Sequence, residues 1–263
     1  MAKILPAIPS SMPQIRRTHY HPSLASSDYF MVKHVGDFVL TKLSECIKPD
    51  MEVLDVGCGE QPLRATIESL GGRYQSTDIE QNHAGTVDHL CPIISLPLPT
   101  DSVDLILCSE VMEHVPETEE AIAEMTRVLK PGGLLILTTP FNYLLHEQPY
   151  DFVRLTPHQL KRCAGLSGLE ILEIKQAGNA LEVFVSMFSY ASAWFFNATT
   201  NRPLRWLYSK AMQGGQALAN IATCAVRPAI GRFLLTTAYL SNQCVMRKKT
   251  PSPILPSSTA SDS

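Results

Sequence analysis

Gly57-Cys58-Gly59 directly follows the apolar run Val53-Leu54-Asp55-Val56. Glycine has no Cβ, so the polar groups of a ligand can approach the backbone amides of such a turn. Asp78 stands 23 residues after Asp55, where a second strand ends. A carboxylate there can accept hydrogen bonds from both hydroxyls of a ribose. Strand, glycine turn, helix and terminal acid in this order predict a nucleoside site. Two histidines further along, His114 and His146, have the side chain whose ordinary pKa suits a general base.

The type of nucleoside follows from the third fingerprint position. A dinucleotide fold requires G-x-G-x-x-G so that a pyrophosphate can sit on the helix N-terminus. Here that position is Pro62, and Glu60 places a negative charge where a diphosphate would lie. Asp55 and Glu60 instead suit a ligand with ammonium or sulfonium character, such as S-adenosylmethionine (SAM). NAD, FAD and ATP fit poorly, which disfavours an NAD(P) oxidoreductase.

These residues need a scaffold, and an α/β alternation supplies it. Met31, Val35, Val39, Leu43 and Ile47 predict a helix ending at Lys48-Pro49. Strands are predicted at 52–56, 73–78, 86–90, 103–108, 134–138 and 169–175, with helices at 61–70 and 117–129. Lys130-Pro131-Gly132-Gly133 is expected to stop the second of these helices, and Thr156-Pro157 to open another. Apolar strands separated by helices predict a Rossmann-like, doubly wound and mostly parallel sheet.

Asp55-Val56-Gly57-Cys58-Gly59, Asp78, Leu96-Pro97-Leu98-Pro99 with Ser102-Val103-Asp104-Leu105, Glu110-Val111-Met112-Glu113-His114-Val115, and Arg127-Val128-Leu129-Lys130-Pro131-Gly132-Gly133 appear in family order over about residues 50–140. Together they resemble the class I SAM-dependent methyltransferases, in particular the methyltransferase type 11 group. The resemblance implies a seven-stranded sheet and SAM as cosubstrate. It implies that Gly57, Cys58 and Gly59 line the methionine end, that Asp78 and Ile79 hold the ribose, and that Ser109 and Glu110 close over the ligand. Leu90 and Cys91 fall where the family contacts adenine. The acid that the family often carries there is missing, Asp88 being the nearest.

The acceptor is expected beyond the fifth strand, where Phe141, Tyr143, His146, Tyr150, Asp151 and Arg154 crowd a proline-bounded loop. Loops with clustered ionisable groups on a rigid scaffold are where function concentrates. The segment His146 to Thr156 also resembles an H-x-x-P-x-D-F-x-R-L-T signature found in methyltransferases of glycan and glycolipid pathways. His146 and His114 are the base candidates if the acceptor is a hydroxyl. Asp151 and Arg154 could equally just pair with each other.

The chain has 263 residues and a net charge of −3, too near neutrality for a nucleic-acid binder that works through bulk basicity. The balance is uneven: residues 1–182 hold 14 basic and 24 acidic side chains, whereas 183–261 hold eight basic and no acidic ones. Residues 181–235 read as a basic, apolar helical insertion, with breaks at Asn201-Arg202-Pro203, Gly214-Gly215 and Pro228, before a last strand at 242–247. Such helices bind anionic membrane surfaces, cover apolar ligands or form dimer faces. The expected organisation is an extended or disordered leader (1–25), a SAM-binding domain (26–180), the insertion (181–235), the last strand (236–249) and a disordered tail (250–263). Seven scattered cysteines without a C-x-x-C pair argue for a reducing compartment and assign no metal. A cytoplasmic enzyme, peripheral at the membrane if the insertion contacts lipid, is the leading expectation. It would methylate a small-molecule, glycan or lipid-linked acceptor at oxygen. The alternative is a catalytically silent methyltransferase-like scaffold.

Overall fold

The computed structural model describes residues 17–199, 202–230 and 238–250. Most of the expected leader and all of the expected tail except Thr250 lie outside them. The elements in chain order are α1 (Tyr29–Cys46), β1 (Glu52–Val56), α2 (Arg64–Ser69), β2 (Arg73–Asp78), β3 (His89–Leu90) and β4 (Val103–Ser109). A 3-10 turn (Met112–His114), α3 (Thr118–Val128), β5 (Leu129–Pro140), α4 (Pro157–Leu166) and β6 (Leu169–Ala177) follow. The chain closes with α5 (Ala180–Thr199), α6 (Arg202–Ile230) and β7 (Ser241–Lys248).

The seven strands form one sheet in the order β3-β2-β1-β4-β5-β7-β6. Strands β1 to β5 run parallel, and β7 lies antiparallel between β5 and β6. Central strands buried on both faces must be apolar throughout, and Leu105, Ile106, Leu107 and Cys108 of β4 are indeed fully buried. One face packs on α1 and α2 through Val39, Leu43 and Ile67. The other packs on α3 and α4 through Ile122, Met125 and Leu160. Thr156 caps α4, its hydroxyl accepting from the Gln159 amide at 3.1 Å, with Pro157 in the first turn as expected.

The Leu-Pro and Arg-Val-Leu motifs hold each other. Arg127 donates to the carbonyls of Leu98 at 2.9 Å and Leu96 at 3.0 Å, and Glu124 accepts from the Leu96 amide at 2.8 Å. These residues brace the sheet rather than touch the site.

Three local expectations are corrected. The Lys130–Gly133 segment is not a break between helix and strand, because β5 already begins at Leu129, paired with Val103. The third strand is reduced to His89–Leu90. The insertion is helical, but α6 runs through Gly214-Gly215 and Pro228, which were expected to break it. A glycine costs a helix only about 1 kcal/mol relative to alanine, which tertiary packing can override. Here Gln216, Asn220 and Thr223 are buried beside it.

The insertion is fastened to the domain at both ends. Glu182, the last acid before the acid-free stretch, is buried in α5 and lies 2.9 Å from Nε2 of His34 in α1. Asn220 of α6 donates to the carbonyls of Leu24 (2.9 Å) and Ser26 (3.3 Å). Among the described residues, no helix is long and apolar enough to cross a membrane.

Candidate active site

Strand order reverses between β1 and β4, and ligands of open α/β sheets occupy the crevice at the carboxyl ends of strands flanking such a point. The loops after β1, β2, β4 and β5 meet there. Gly57 and Gly59 adopt φ +68° and +49°, a region costly for residues with a Cβ. The amides of Gly57 and Cys58 both donate to the Thr77 carbonyl, at 2.8 and 3.1 Å. A Cβ on Gly57 would come within 2.4 Å of Val111, so the β1 and β4 loops touch at this glycine. A Cβ on Gly59 would meet nothing within 4 Å, so the turn is open on that side.

Asp78 faces this opening. Its carboxylate accepts from the amides of Gly59 at 2.9 Å and Glu80 at 3.2 Å. Two such bonds fix its orientation and leave lone pairs for two more donors. Ile79 and Leu90, at the ends of β2 and β3, are 74% and 58% exposed. They offer an apolar shelf beside Asp78, with the half-buried Cys91 next to it. This combination of open turn, oriented acid and apolar shelf fits the ribose and adenine of SAM. Asp88 is not available to adenine: its Oδ2 accepts from both the amide and the hydroxyl of Ser76, at 2.9 and 2.7 Å.

The two carboxylates expected to attract a cationic ligand are engaged elsewhere. Asp55 is buried and accepts from the Tyr74 hydroxyl at 2.8 Å, and burial pushes its carboxyl up to about 7. Glu60 lies 2.7 Å from Nδ1 of His83. Charge complementarity to a sulfonium therefore does not rest on a simple pair of free acids.

On the other side of the crevice, Ser109 shares hydrogen-bond distance with Thr138 Oγ1 (3.0 Å) and accepts from the Tyr20 hydroxyl (3.1 Å). Tyr20 comes from the segment expected to be a disordered or extended leader. It packs over Gly36 of α1, where a Cβ would meet its carbonyl at 2.8 Å. That glycine, with its helix spacing, was the only sequence signal for the contact. Glu110 follows Ser109 with φ +56°, and burial raises its carboxyl to about 7.

The loop after β5 folds back onto the 3-10 turn. The Glu113 carbonyl accepts from the amides of Phe152 and Val153, at 2.8 and 3.1 Å. The Tyr150 carbonyl lies 2.8 Å from Nδ1 of His114. This brings His114 and His146 edge to face, with ring centroids 4.8 Å apart. Burial and the neighbouring His114 lower the pKa of His146. Asp151 and Arg154 do pair, with oxygens 2.5 and 2.8 Å from the guanidinium, but the pair has a second role. Asp151 also accepts from the His146 amide at 3.0 Å, which sets the position of that ring. Tyr143 lies edge-on to His146 and receives a hydrogen bond at 3.1 Å from Tyr190 of α5. The insertion therefore borders the site. Phe141 is instead stacked on Tyr239, and Tyr150 contributes its carbonyl while its ring is exposed.

Sequence reasoning missed Tyr20, Thr138, Tyr190 and Glu113. Glu113 is fully buried, and neither of its carboxylate oxygens has a hydrogen-bond partner.

Comparisons with known proteins agree with this architecture. Residues 54–137 match the family model described as a methyltransferase domain. A probable S-adenosylmethionine-dependent methyltransferase of Mycolicibacterium smegmatis is 30% identical over 143 residues, covering 51% of this chain and 54% of that protein. The ubiquinone biosynthesis O-methyltransferase of Methylococcus capsulatus is 26% identical over 157 residues, covering 48% and 66%. The chain thus spans about half to two thirds of these relatives' length. Among solved structures, the cyclase SpnF matches with a TM-score of 0.56 and 20% identity, over 90% of this chain and 88% of that one. At that identity the likeness concerns the fold, and one fold hosts many chemistries. Residues 54–137 thus carry the sequence signature of a methyltransferase domain, and the chain around them is similar to SAM-dependent methyltransferases.

Proposed function

We propose that the protein transfers a methyl group from SAM to an oxygen of a small-molecule, glycan or lipid-linked acceptor. The observation that carries this reading is the arrangement of the crevice. An open glycine turn and an oriented Asp78 stand on one side, and two histidines with buried carboxylates stand on the other. Bound there, SAM supplies an electrophilic methyl on a sulfonium. Asp78 holds the ribose, and Ile79 and Leu90 cover the base. The loop of residues 141–154 excludes water and aligns the acceptor, which is where most of the acceleration of a methyl transfer arises.

Oxygen is favoured because a hydroxyl acceptor profits from a base, and the site holds a histidine whose neutral form is stabilised. The O-methyltransferase named among the relatives is consistent with this. Calorimetry should show SAM binding to the purified protein, and incubation with methyl-labelled SAM and a cell extract should label a product. His146→Ala should keep SAM affinity within about twofold while labelling falls by roughly 10² to 10⁴, the usual contribution of a positioned base. Absence of SAM binding would support the silent-scaffold alternative.

The acceptor class receives support from α5. Phe184 and Phe188 are 66% and 64% exposed and stack at 6.2 Å, with Leu218 and Ile221 exposed on α6. Apolar helical surfaces in an acid-free segment suit the membrane interface, and Tyr190 joins this helix to the acceptor loop. Flotation with anionic vesicles is the measurement. The wild-type protein should rise with the lipid, and a Phe184→Asp, Phe188→Asp variant should remain at the bottom. A wild type that stays at the bottom would exclude lipid contact and leave a soluble acceptor, and a variant that rises with the wild type would place the contact away from Phe184 and Phe188.

A further inference from the structure

A carboxyl buried without a hydrogen-bond partner is costly unless a proton or a cation neutralises it, and Glu113 is in that position. What it faces is two imidazoles. Nε2 of His114 lies 3.8 Å and Nε2 of His146 lies 3.7 Å from its Oε1, both beyond hydrogen-bond range. The other nitrogen of each ring is already committed. His114 Nδ1 is 2.8 Å from the Tyr150 carbonyl. A carbonyl only accepts, so Nδ1 carries the proton. His146 Nδ1 stands between the Leu144 carbonyl (3.2 Å) and Asp151 Oδ2 (3.1 Å), again acceptors only once Asp151 is ionised. Arg154 and the His146 amide hold that carboxyl below the usual carboxylate range, despite its burial. Nε2 of each ring is therefore the nitrogen left to ligate an ion. Two nitrogens and a carboxylate oxygen gather within 4.8 Å of one another with no donor to join them.

We propose that Glu113, His114 and His146 ligate a divalent first-row transition-metal ion at the acceptor side of the crevice. Ligand bonds of roughly 2.0–2.2 Å put neighbouring donor atoms about 3–3.5 Å apart, so the two separations from the Glu113 oxygen need to contract by a few tenths of an ångström, and the widest separation in the group, 4.8 Å, by about 1–2 Å through a turn of the imidazole rings. The surroundings have the form that metal-bound histidines show, each donating its second N–H to a backbone carbonyl or a carboxylate. Two imidazoles select a borderline ion such as Co²⁺ or Zn²⁺ over Ca²⁺ or Mg²⁺, which prefer oxygen donors. The ion, once bound, would itself favour the ionised form of an acceptor hydroxyl, in place of His146 as a free base. That role rests on the transferase reading, whereas the binding does not.

Co²⁺ is the probe. Chelator-stripped full-length protein should take up one equivalent in equilibrium dialysis and develop visible d–d absorption. Glu113→Gln, which keeps the side-chain shape, and His146→Ala, which alters only the loop, should each weaken uptake by about a hundredfold or more, beyond the ~10–100-fold loss typical of outer-shell changes. SAM calorimetry on the same variants reports whether they are folded and tests the transferase reading separately. If the wild type takes up no Co²⁺, or if either variant that still binds SAM takes it up as the wild type does, the proposal fails. If one variant does not fold, the other decides. If SAM does not bind but Co²⁺ uptake follows the expected pattern, the metal site stands and the transferase reading falls.

Discussion

Gly57→Ala should destabilise the protein by about 2–5 kcal/mol, combining roughly 1–2 for a left-handed alanine with 1–3 for overpacking. Both causes are visible: φ is +68°, and the new methyl would sit 2.4 Å from Val111. A loss of that size is a large share of a domain's net stability. Gly59→Ala serves as the contrast, since φ is +49° but the methyl meets no protein atom. It should lose only about 1–2 kcal/mol of stability. Its methyl would instead project toward the space a ligand needs, so SAM affinity should fall more than stability does. Denaturant midpoints measured beside calorimetry separate the two effects. Adding Val111→Ala to Gly57→Ala should restore the clash portion and leave the backbone portion, as a double-mutant cycle would show. Equal stabilities for the two glycine variants would mean that the loops after β1 and β4 do not meet as described.

Asp78→Ala should cost SAM affinity about 10²-fold or more, since hydrogen bonds to a charged group are worth roughly 1.5–3 kcal/mol each and two ribose hydroxyls are available. Asp78→Asn keeps one acceptor and should fall between the alanine variant and the wild type. Stability should change little in both, because the bonds that Asp78 makes to the Gly59 and Glu80 amides are at the surface. Calorimetry with SAM, beside thermal unfolding, checks this. Wild-type affinity in the alanine variant would remove Asp78 from the cofactor site and leave the ribose without its expected partner.

The elements that set the crevice were readable because their signals are local. Apolar runs, a glycine turn and an N-cap with a first-turn proline each act within a few residues. The resemblance supplied the number of strands, and their order came only with the structure. The site's electrostatics were not readable. Asp55 looks like a free acid until Tyr74, from the neighbouring strand, is seen to donate to it. Asp88, the acid nearest the adenine position, is seen to be occupied only when Ser76 is placed beside it. Glu113 lay within a quoted motif, yet its burial and its two imidazole neighbours depend on how the loop after β5 folds back. No spacing rule joins His114 to His146. Tyr20 was overlooked because a proline-rich start carries no periodic pattern, and its contact depends on a groove at Gly36. The Gly214-Gly215 break failed for the opposite reason: a weak local preference yielded to packing.

The position of β7 has a consequence for how the molecule is made. It is the last strand in the chain, yet it sits inside the sheet between β5 and β6. During synthesis, β6 therefore emerges with no neighbour to pair with, and the outer edge of β5 stays open until Ser241–Lys248 leave the ribosome. Open edges of this kind invite pairing with other chains, and closing so distant a contact is slow. In the interval α5 and α6 are already synthesised, and their contacts with α1 at His34 and with the carbonyls of Leu24 and Ser26 can form without β7. The inserted helices can thus dock on α1 and its approach before the missing strand of the sheet arrives.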